Sequence, residues 1–354
     1  MRKLNVCVLF GGISPEHEVS LRSAESVLNH LNKDKYNVFP VGITKEGDWI
    51  LFKGTDYSLL SAQQWQDYPG NRRAAISPVR GQGLLSFEGD CVVRELIDVV
   101  FPVLHGENGE DGTMQGLLQM AGIPYVGPRV AASAVSMDKT LTKLVMDNAE
   151  VSQAAWQLVR NSELHSRMEQ ILDLLENRFP YPMFVKPAGT GSSVGVAKAS
   201  DRETLRDALV QAGTYDEKIL VEEFIHGREI EVAVMGNDSP VASICGEIDS
   251  GAEFYDYDAK YVTDTSVAYI PARIPEDVAE QVRDLAVKVY SAIGCKGLSR
   301  VDFFVTYEEN RVVFNEINTL PGFTSISMYP KLFAASGIPY EQLLDSLLEL
   351  AMEA

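Results

Sequence analysis

Glu316 and Asn318 lie two residues apart in Val312-Val-Phe-Asn-Glu-Ile-Asn-Thr-Leu-Pro-Gly-Phe-Thr-Ser325, whose apolar, β-branched opening predicts a strand that Pro321-Gly322 ends. Side chains alternate along a strand, so these two oxygen-bearing groups share a face. Upstream, Gly297-Leu-Ser-Arg-Val-Asp-Phe-Phe-Val305 predicts a neighbouring strand. A hairpin between the two would bring Asp302 to the same place, and Arg300 with it. Two carboxylates and an amide are hard oxygen donors that suit Mg²⁺ shared with phosphate oxygens. A hairpin with solvated acidic residues has the same local pattern, so other segments have to decide.

A second chemistry-bearing segment runs from Pro182-Met-Phe-Val-Lys-Pro187, a predicted strand, into Ala188-Gly-Thr-Gly-Ser-Ser-Val-Gly195. Such a loop can fold backbone N–H groups and hydroxyls around phosphate oxygens, with Lys186 as a point charge at its base. It is not a Walker A sequence, because no Gly-Lys-Ser/Thr follows, and a plain hairpin linker is the alternative. Near the start, the strand Leu4 to Phe10 leads through Gly11-Gly12 into Glu16-His-Glu-Val-Ser20. A helix is expected after Ser20, with Leu21, Ala24, Leu28 and Leu31 on one face. Strand, glycine turn and helix make the first unit of a parallel α/β sheet, where ligands sit beyond the carboxyl ends of strands. Glu16 there either compensates the helix dipole or receives a substrate ammonium. The strand Ile97 to Leu104 ends in the polar loop His105-Gly-Glu-Asn-Gly-Glu-Asp-Gly-Thr113, where His105 is either structural or a donor to a carboxylate.

The remaining elements position these groups. Tyr36 to Ile43 predicts a strand, and residues 45–95 predict a turn-rich elaboration with short strands and no legible chemistry. Helix Gln115 to Met120 and strand Ile123 to Gly127 complete the first unit, with a boundary near Pro128. One long helix is expected over 130–148, carrying Lys139. Strands at Trp156 to Val159 and Pro182 to Pro187 flank a helix over 163–177, and Ser200 with Glu203 reads as a capping box. Lys218 to Ile225, Gly227 to Val234 and Val241 to Ile248 read as successive strands. A strand stopping at Gly227 offers a nucleotide base an apolar slot with backbone hydrogen bonds, and Glu222 can accept from a ribose hydroxyl. Glu253-Phe-Tyr-Asp-Tyr-Asp-Ala-Lys-Tyr-Val262 reads as a surface loop that closes over a ligand and brings in Lys260 and Tyr261. Helices over 276–293 and 339–353 finish the chain.

Composition sets the outer bounds. With 354 residues, more than one core is expected. Lys+Arg 31 against Asp+Glu 50 gives a formal charge of -19 with no basic run, which argues against nucleic acid and anionic membrane as partners. No segment has the length and apolarity of a membrane span, and no secretory pattern precedes the first strand. Cys7, Cys91, Cys245 and Cys295 are dispersed, as expected of small core residues in a reducing cytosol rather than a zinc site or disulfide frame.

In number, order and spacing, nine segments together resemble the D-alanyl-D-alanine ligases of the ATP-grasp superfamily over essentially the whole chain. They are Gly11-Gly-Ile-Ser-Pro-Glu-His-Glu-Val-Ser20, Leu104-His-Gly106, Gly109-Glu-Asp-Gly112, Ser136-Met-Asp-Lys139, Val185-Lys-Pro187, Gly191-Ser-Ser-Val-Gly195, Phe254-Tyr-Asp-Tyr-Asp-Ala-Lys-Tyr261, Arg300-Val-Asp302 and Glu316-Ile-Asn-Thr-Leu-Pro-Gly322. The resemblance implies an α/β fold of ATP-grasp architecture: an amino-terminal parallel α/β substrate domain (1–128), then central (129–222) and carboxyl-terminal catalytic (223–354) α+β subdomains that enclose ATP. It implies phosphate contacts from Lys139, Lys186, Gly191, Ser192 and Ser193, ribose contacts from Glu222 and Glu229, and adenine against the backbone of Glu223, Phe224 and Ile225. Asp302, Glu316 and Asn318 would hold two Mg²⁺ or Mn²⁺ ions, with Glu316 bridging them. Glu16 would receive the first D-alanine's ammonium, His105 would sit near its carboxylate, and Ser327 with the Met328 backbone would hold the second D-alanine's carboxylate. Ser192 and Tyr261 would link to Glu16, Lys260 would reach the γ-phosphoryl group, and Arg300 with the Gly322 N–H would stabilise a tetrahedral oxyanion. The implied product is D-alanyl-D-alanine, made with ADP and phosphate through D-alanyl phosphate for peptidoglycan precursor synthesis by a cytoplasmic homodimer. The Lys260-Tyr261 pair favours D-alanine over D-lactate as second substrate. D-Serine, a smaller perturbation, is less firmly excluded, and Leu320, where many relatives have a small polar residue next to the second-substrate region, leaves fine specificity open. The alternatives are another ATP-grasp carboxylate–amine ligase and a catalytically silent ATP-binding regulatory protein.

Overall fold

Three sheets take up the strands of the chain in sequence order in the computed structural model, which describes residues 2–191, 194–249 and 267–353. The first sheet holds β1 (Leu4–Gly11), β2 (Tyr36–Ile43), β3 (Trp49–Leu51), β4 (Arg72–Ile76), β5 (Leu84–Glu88), β6 (Cys91–Glu95) and β7 (Val99–Leu104) in the order β6-β5-β4-β3-β2-β1-β7. Central β1, apolar and mostly buried, pairs parallel with β2 and β7. Strands β3 to β6 extend the sheet antiparallel, so the 45–95 segment is an elaboration of this unit as expected. The following helix starts at His17, earlier than expected after Ser20. Ser20 is inside it because its hydroxyl donates to the Val103 carbonyl while accepting from Gly11 N–H at 2.7 Å, which joins the carboxyl ends of β7 and β1. The expected strand at 123–127 is reduced to a single bridge between Tyr125 and Val100.

The second sheet contains β8 (Trp156–Arg160), β9 (Met183–Pro187), β10 (Ala197–Ala199) and β11 (Lys218–Glu223), antiparallel in the order β10-β9-β11-β8. Helices Asn161–Arg178 and Arg202–Gly213 bury their apolar faces on it. The capping box falls one residue later than expected, on Asp201 and Thr204, because the Asp201 carboxylate accepts the Thr204 N–H at 2.9 Å and the Thr204 hydroxyl accepts the Asp201 N–H at 3.1 Å. The single helix expected over 130–148 is two, Val130–Met137 and Lys139–Asn148, broken at extended Asp138. Asp138 Oδ1 caps the second helix by accepting from Thr140 and Leu141 N–H at 3.0 and 3.2 Å, while Oδ2 pairs with Lys218. The break places Lys139 at a helix start, with its N–H on Ala188 O at 3.0 Å and Nζ on Thr190 O at 2.5 Å.

The third sheet contains β12 (Gly227–Gly236), β13 (Val241–Ala242), β14 (Gly246–Asp249), β15 (Val267–Tyr269), β16 (Gly297–Thr306) and β17 (Val312–Asn318) in the order β15-β14-β12-β16-β17, with β13 also on β12. The strand expected over 241–248 is split between β13 and β14. At the break the Ser243 hydroxyl, not a strand carbonyl, accepts the Ala233 N–H at 3.0 Å. Helix Glu276–Ile293 packs against this sheet. The last helices, Met328–Ala335 and Tyr340–Glu353, bury Tyr329, Phe333, Leu343, Leu344 and Leu347 in the same cluster as Val6, Val8 and Phe101 of the first sheet. The first and third units therefore share one core, which fixes the loops after β1 and β7 relative to β16 and β17. Among the described residues no helix is long and apolar enough to cross a membrane. Cys7, Cys245 and Cys295 are buried and Cys91 is exposed, all as free thiols.

Asp138→Asn should lose only the ion pair, whereas Asp138→Ala should also lose the cap and cost about 1 kcal/mol more. Urea unfolding of the two variants measures that difference directly.

Candidate active site

A cleft of about 1250 Å³ opens between the second and third sheets and is closed at one end by loops of the first unit. Its floor is the β16–β17 hairpin, in which Asp302 faces Glu316 and Arg300 faces Asn318 across the strands. On the other side of β16, Glu231 of β12 faces Asp302. Directly opposed residues share a sheet face, so Glu231, Asp302 and Glu316 form one row across three strands. Asp302 is 1% exposed and Glu231 4%, and such a row cannot be buried without positive charge. Arg300 provides it with a fork on Asp302, Nε to Oδ1 at 2.8 Å and Nη2 to Oδ2 at 2.7 Å, and with Glu231 Oε2 at 3.3 Å from Nε. Burial disfavours the guanidinium charge, but Asp302 and Glu231 more than restore it. Asn318 Nδ2 also donates to Asp302 Oδ2 at 2.9 Å. Among the described residues no three His, Cys, Asp or Glu groups converge on one point. The donor set that suits a divalent ion is therefore the Asp302, Glu316 and Asn318 combination, all hard oxygen donors on the hairpin.

On the wall formed by the second sheet, Lys186 is the penultimate residue of β9, and Glu222 of the neighbouring β11 reaches it diagonally. Glu222 is 3% exposed and shared by two ammonium groups, Lys143 on Oε1 and Lys186 on Oε2 at 2.7 Å. Burial pushes the Glu222 carboxyl up, but Lys143 and Lys186 outweigh this and hold it at about 2. Buried Lys143 is pulled down by desolvation, whereas at Lys186 the pull of Glu222 overcomes the same cost and raises it. Glu222 thus fixes the position of the Lys186 ammonium at the cleft wall. Phe184 and Phe224 form an aromatic wall, with centroids 5.9 Å apart and Lys198 Nζ 5.0 Å from the Phe224 ring. Glu223, Phe224, Ile225 and Glu229 line the cleft next to it.

At the end closed by the first unit, Glu16 is held between two glycine backbones. A Cβ on Gly106 or on Gly191 would meet Glu16 Oε2 at 3.0 Å, and Gly106 also has φ +65°. His105 is 6% exposed, with Nδ1 3.0 Å from the Leu320 carbonyl and Nε2 3.5 Å from Ser23 Oγ. A carbonyl only accepts, so Nδ1 carries the proton. Burial lowers the His105 pKa despite Glu16, and the neutral ring presents Nε2 as an acceptor. Donation from His105 to a substrate carboxylate therefore requires a further proton. Glu110 holds the other backbone group of Leu320: its oxygens accept Leu320 N–H at 3.1 Å and Gly106 N–H at 2.9 Å. Burial and then Glu16 push its carboxyl up to about 8. Gly322 follows, so close to Ser327 that a Cβ would meet Ser327 Oγ at 2.7 Å. Ser327 is the N-cap of the helix that begins at Met328, with its Oγ accepting from Thr324 N–H at 3.0 Å.

The cleft therefore gathers Glu16, His105, Lys139, Lys186, Gly191, Glu222, Glu223, Phe224, Ile225, Glu229, Arg300, Glu316, Asn318, Gly322, Ser327 and Met328. Asp302 lies beneath Arg300 and Asn318. Ser192, Ser193, Lys260 and Tyr261 fall outside the described residues. Sequence reasoning missed Lys143, Glu231 and Glu110 as functional groups. Lys143 is one helical turn from Lys139 and Glu231 is two strand positions from Glu229, so periodicity was the signal for both; Glu110 stood within the quoted Gly109-Glu-Asp-Gly112 segment.

Glu222→Gln removes the one carboxylate in direct contact with both ammonium groups and should cost about 3–5 kcal/mol in chemical denaturation, with loss of nucleotide affinity. Glu110 has its folded pKa raised from 4.5 to about 8, so its stabilising protonation is complete below 4.5 and is lost as pH rises through about 8. Melting temperatures of wild type and Glu110→Gln between pH 6 and 9 should diverge, with wild type falling faster.

Comparison with known proteins follows the same lines. The model for the D-ala D-ala ligase N-terminus matches residues 5–128, and that for the C-terminus matches residues 145–349. The D-alanine–D-alanine ligase of Acetivibrio thermocellus is 49% identical, covering 99% of this chain and 96% of that protein. The ligase of the same name from Caldicellulosiruptor bescii is also 49% identical, over 100% of this chain and 96% of its own. Among solved structures, the VanG D-Ala:D-Ser ligase from Enterococcus faecalis superposes with TM-score 0.89 at 37% identity, covering 99% of this chain and 100% of that one. The D-alanine-D-alanine ligase from Coxiella burnetii gives 0.86 at 35%, covering 100% and 95%. A carboxylate hairpin, a lysine-lined slot and a glycine-held glutamate in one cleft, on a chain matched end to end, place this protein in the D-ala D-ala ligase family of the ATP-grasp superfamily.

Proposed function

We propose that the chain performs its D-alanine–D-alanine ligation through D-alanyl phosphate, with ATP and the two amino acids entering the one cleft from opposite ends. The observation that carries this reading is the Arg300-bridged carboxylate row lying between the Lys186–Glu222 pair and the Glu16 and Ser327 loops. A free carboxylate is a poor acylating agent because its leaving group would be oxide. Phosphoryl transfer to the first D-alanine's carboxylate turns that oxygen into phosphate, with ADP departing. The family uses ATP and a divalent metal. Here Asp302, Glu316 and Asn318 would hold two Mg²⁺ or Mn²⁺ ions, whose charge opposes that of the transferring phosphoryl group. Lys139 and Lys186 add fixed positive charge at the phosphates, and Glu222 and Glu229 flank the nucleotide.

Glu16 anchors the first ammonium and the N-terminus of the Met328–Ala335 helix receives the second carboxylate, as its outward N–H groups favour an anion. The second amine then attacks as the free base. Arg300 and the Gly322 N–H stabilise the oxyanion, and collapse forms the amide bond and expels phosphate. The segment with Lys260 and Tyr261, together with Ser192 and Ser193, would shut water away from the acyl phosphate. The central unit, 129–222, would close on the units 1–128 and 223–354, which share a core, in a cytoplasmic homodimer supplying peptidoglycan precursors. D-Serine as second substrate is a second reading, favoured by the likeness to a D-Ala:D-Ser ligase. Leu320 acts there through its backbone, whose carbonyl and N–H are held by His105 and Glu110, while its side chain packs toward Gly127.

Phosphate release from Mg-ATP should require D-alanine and match dipeptide formation by mass, with D-serine, L-alanine and D-lactate as comparisons. Turnover that follows an unrelated carboxylate would overturn the assignment. Arg300→Ala should cut turnover roughly 100-fold or more while leaving ATP affinity within a few-fold; equal losses of both would remove Arg300 from the oxyanion role.

A further inference from the structure

Asp302 holds more donors than a metal ligand can keep. Its Oδ1 accepts from Arg300 Nε at 2.8 Å, and its Oδ2 accepts from both Arg300 Nη2 at 2.7 Å and Asn318 Nδ2 at 2.9 Å. A carboxylate oxygen has about two acceptor sites, so Oδ2 is full and Oδ1 has room for one more partner. A divalent ion on that carboxylate draws off the charge that binds the guanidinium and repels it as a like charge. Arg300 therefore needs a second anchor if it is to stay at the cleft floor. Glu231 is placed to be that anchor. It is 4% exposed, lines the same cleft, and has Oε2 already 3.3 Å from Arg300 Nε. The residue opposite Arg300 on β12 is Ala233, whose methyl group leaves the guanidinium room to lean toward Glu231; on the β17 flank Asn318 fills the corresponding place.

We propose that Glu231 is a positioning residue for Arg300: its carboxylate becomes the main partner of the guanidinium once Asp302 engages a divalent ion, and so keeps Arg300 aimed into the cleft. The proposal rests on the reading of Asp302 as a metal ligand and of Arg300 as an oxyanion donor. Without Glu231 the guanidinium would stay on Asp302 and compete with the metal there. The carboxylate row thus divides its work: the β16 and β17 members, with Asn318, suit the metal, and the β12 member holds the arginine.

The test is Mn²⁺ binding to the full chain saturated with a non-hydrolysable ATP analogue, followed by the electron paramagnetic resonance of free Mn²⁺, in wild type, Glu231→Gln, Arg300→Gln and the double variant. Glu231→Gln should weaken Mn²⁺ binding roughly fivefold or more, because Arg300 then stays on Asp302; with Arg300 already replaced, the same change should matter by roughly twofold at most. Since Arg300 also compensates the buried row, a companion measurement keeps the arginine in place. It follows the Arg300 Nε–H signal by NMR, assigned by its loss in Arg300→Lys. On adding Mg²⁺ and the analogue this signal should shift and persist in wild type, and broaden away in Glu231→Gln. Mn²⁺ affinity unchanged by Glu231→Gln, a loss of equal size with and without Arg300, or an Nε–H signal indifferent to Glu231 overturns the proposal. These readouts use no D-alanine, so a failed ligation assay leaves them intact and their failure leaves the ligation reading standing. A wild type that binds no Mn²⁺ overturns the metal assignment and the proposal with it.

Discussion

The fork between Arg300 and Asp302 is the contact on which the site depends. Three carboxylates in register on β12, β16 and β17 would repel one another in a buried sheet, and Arg300, two residues from Asp302 on the same strand, compensates them. A lysine could not do this, because two parallel N–H bonds need the planar guanidinium. The same charge that permits the carboxylates to be buried also faces the cleft, so the proposed catalytic role of Arg300 would fall on the residue that holds the row together.

A second constraint is the shared core of the first and third units. Leucines of the Tyr340–Glu353 helix pack with Val6, Val8 and Phe101, and this holds the loops after β1 and β7 over the hairpin. Contacts between the units are then made at the level of single peptide groups. His105 takes the Leu320 carbonyl, Glu110 takes its N–H, and Ser23 accepts from Phe323 N–H at 3.1 Å. Gly322, between these points, inherits its position from the first unit although it belongs to the third.

The cleft also shows how an acidic protein accommodates a polyanion. The lysines are few but fixed, because Glu222 is held ionised between Lys143 and Lys186 and so orients both without neutralising the slot. Local arrangement outweighs net charge at these distances, since exposed charges beyond about 8–10 Å are screened while buried neighbours are not.

Local patterns alone determined much of this protein. Alternation and turn residues placed β1, β7, β16 and β17, and a period of two put Arg300, Asp302, Glu316 and Asn318 on one face before any register was known. The ordered motifs carried the resemblance to the ligase family. Tertiary structure decided what depends on partners distant in the chain. Asp138 breaks a continuous helical pattern because it caps a new helix and meets Lys218, and Ser20 lies inside a helix because Val103 and Gly11 use its hydroxyl. Glu110, Lys143 and Glu231 acquire their roles only from burial and from groups on other elements. A side chain's charge state and orientation are set by the dielectric and the donors around it, and those are assembled by folding.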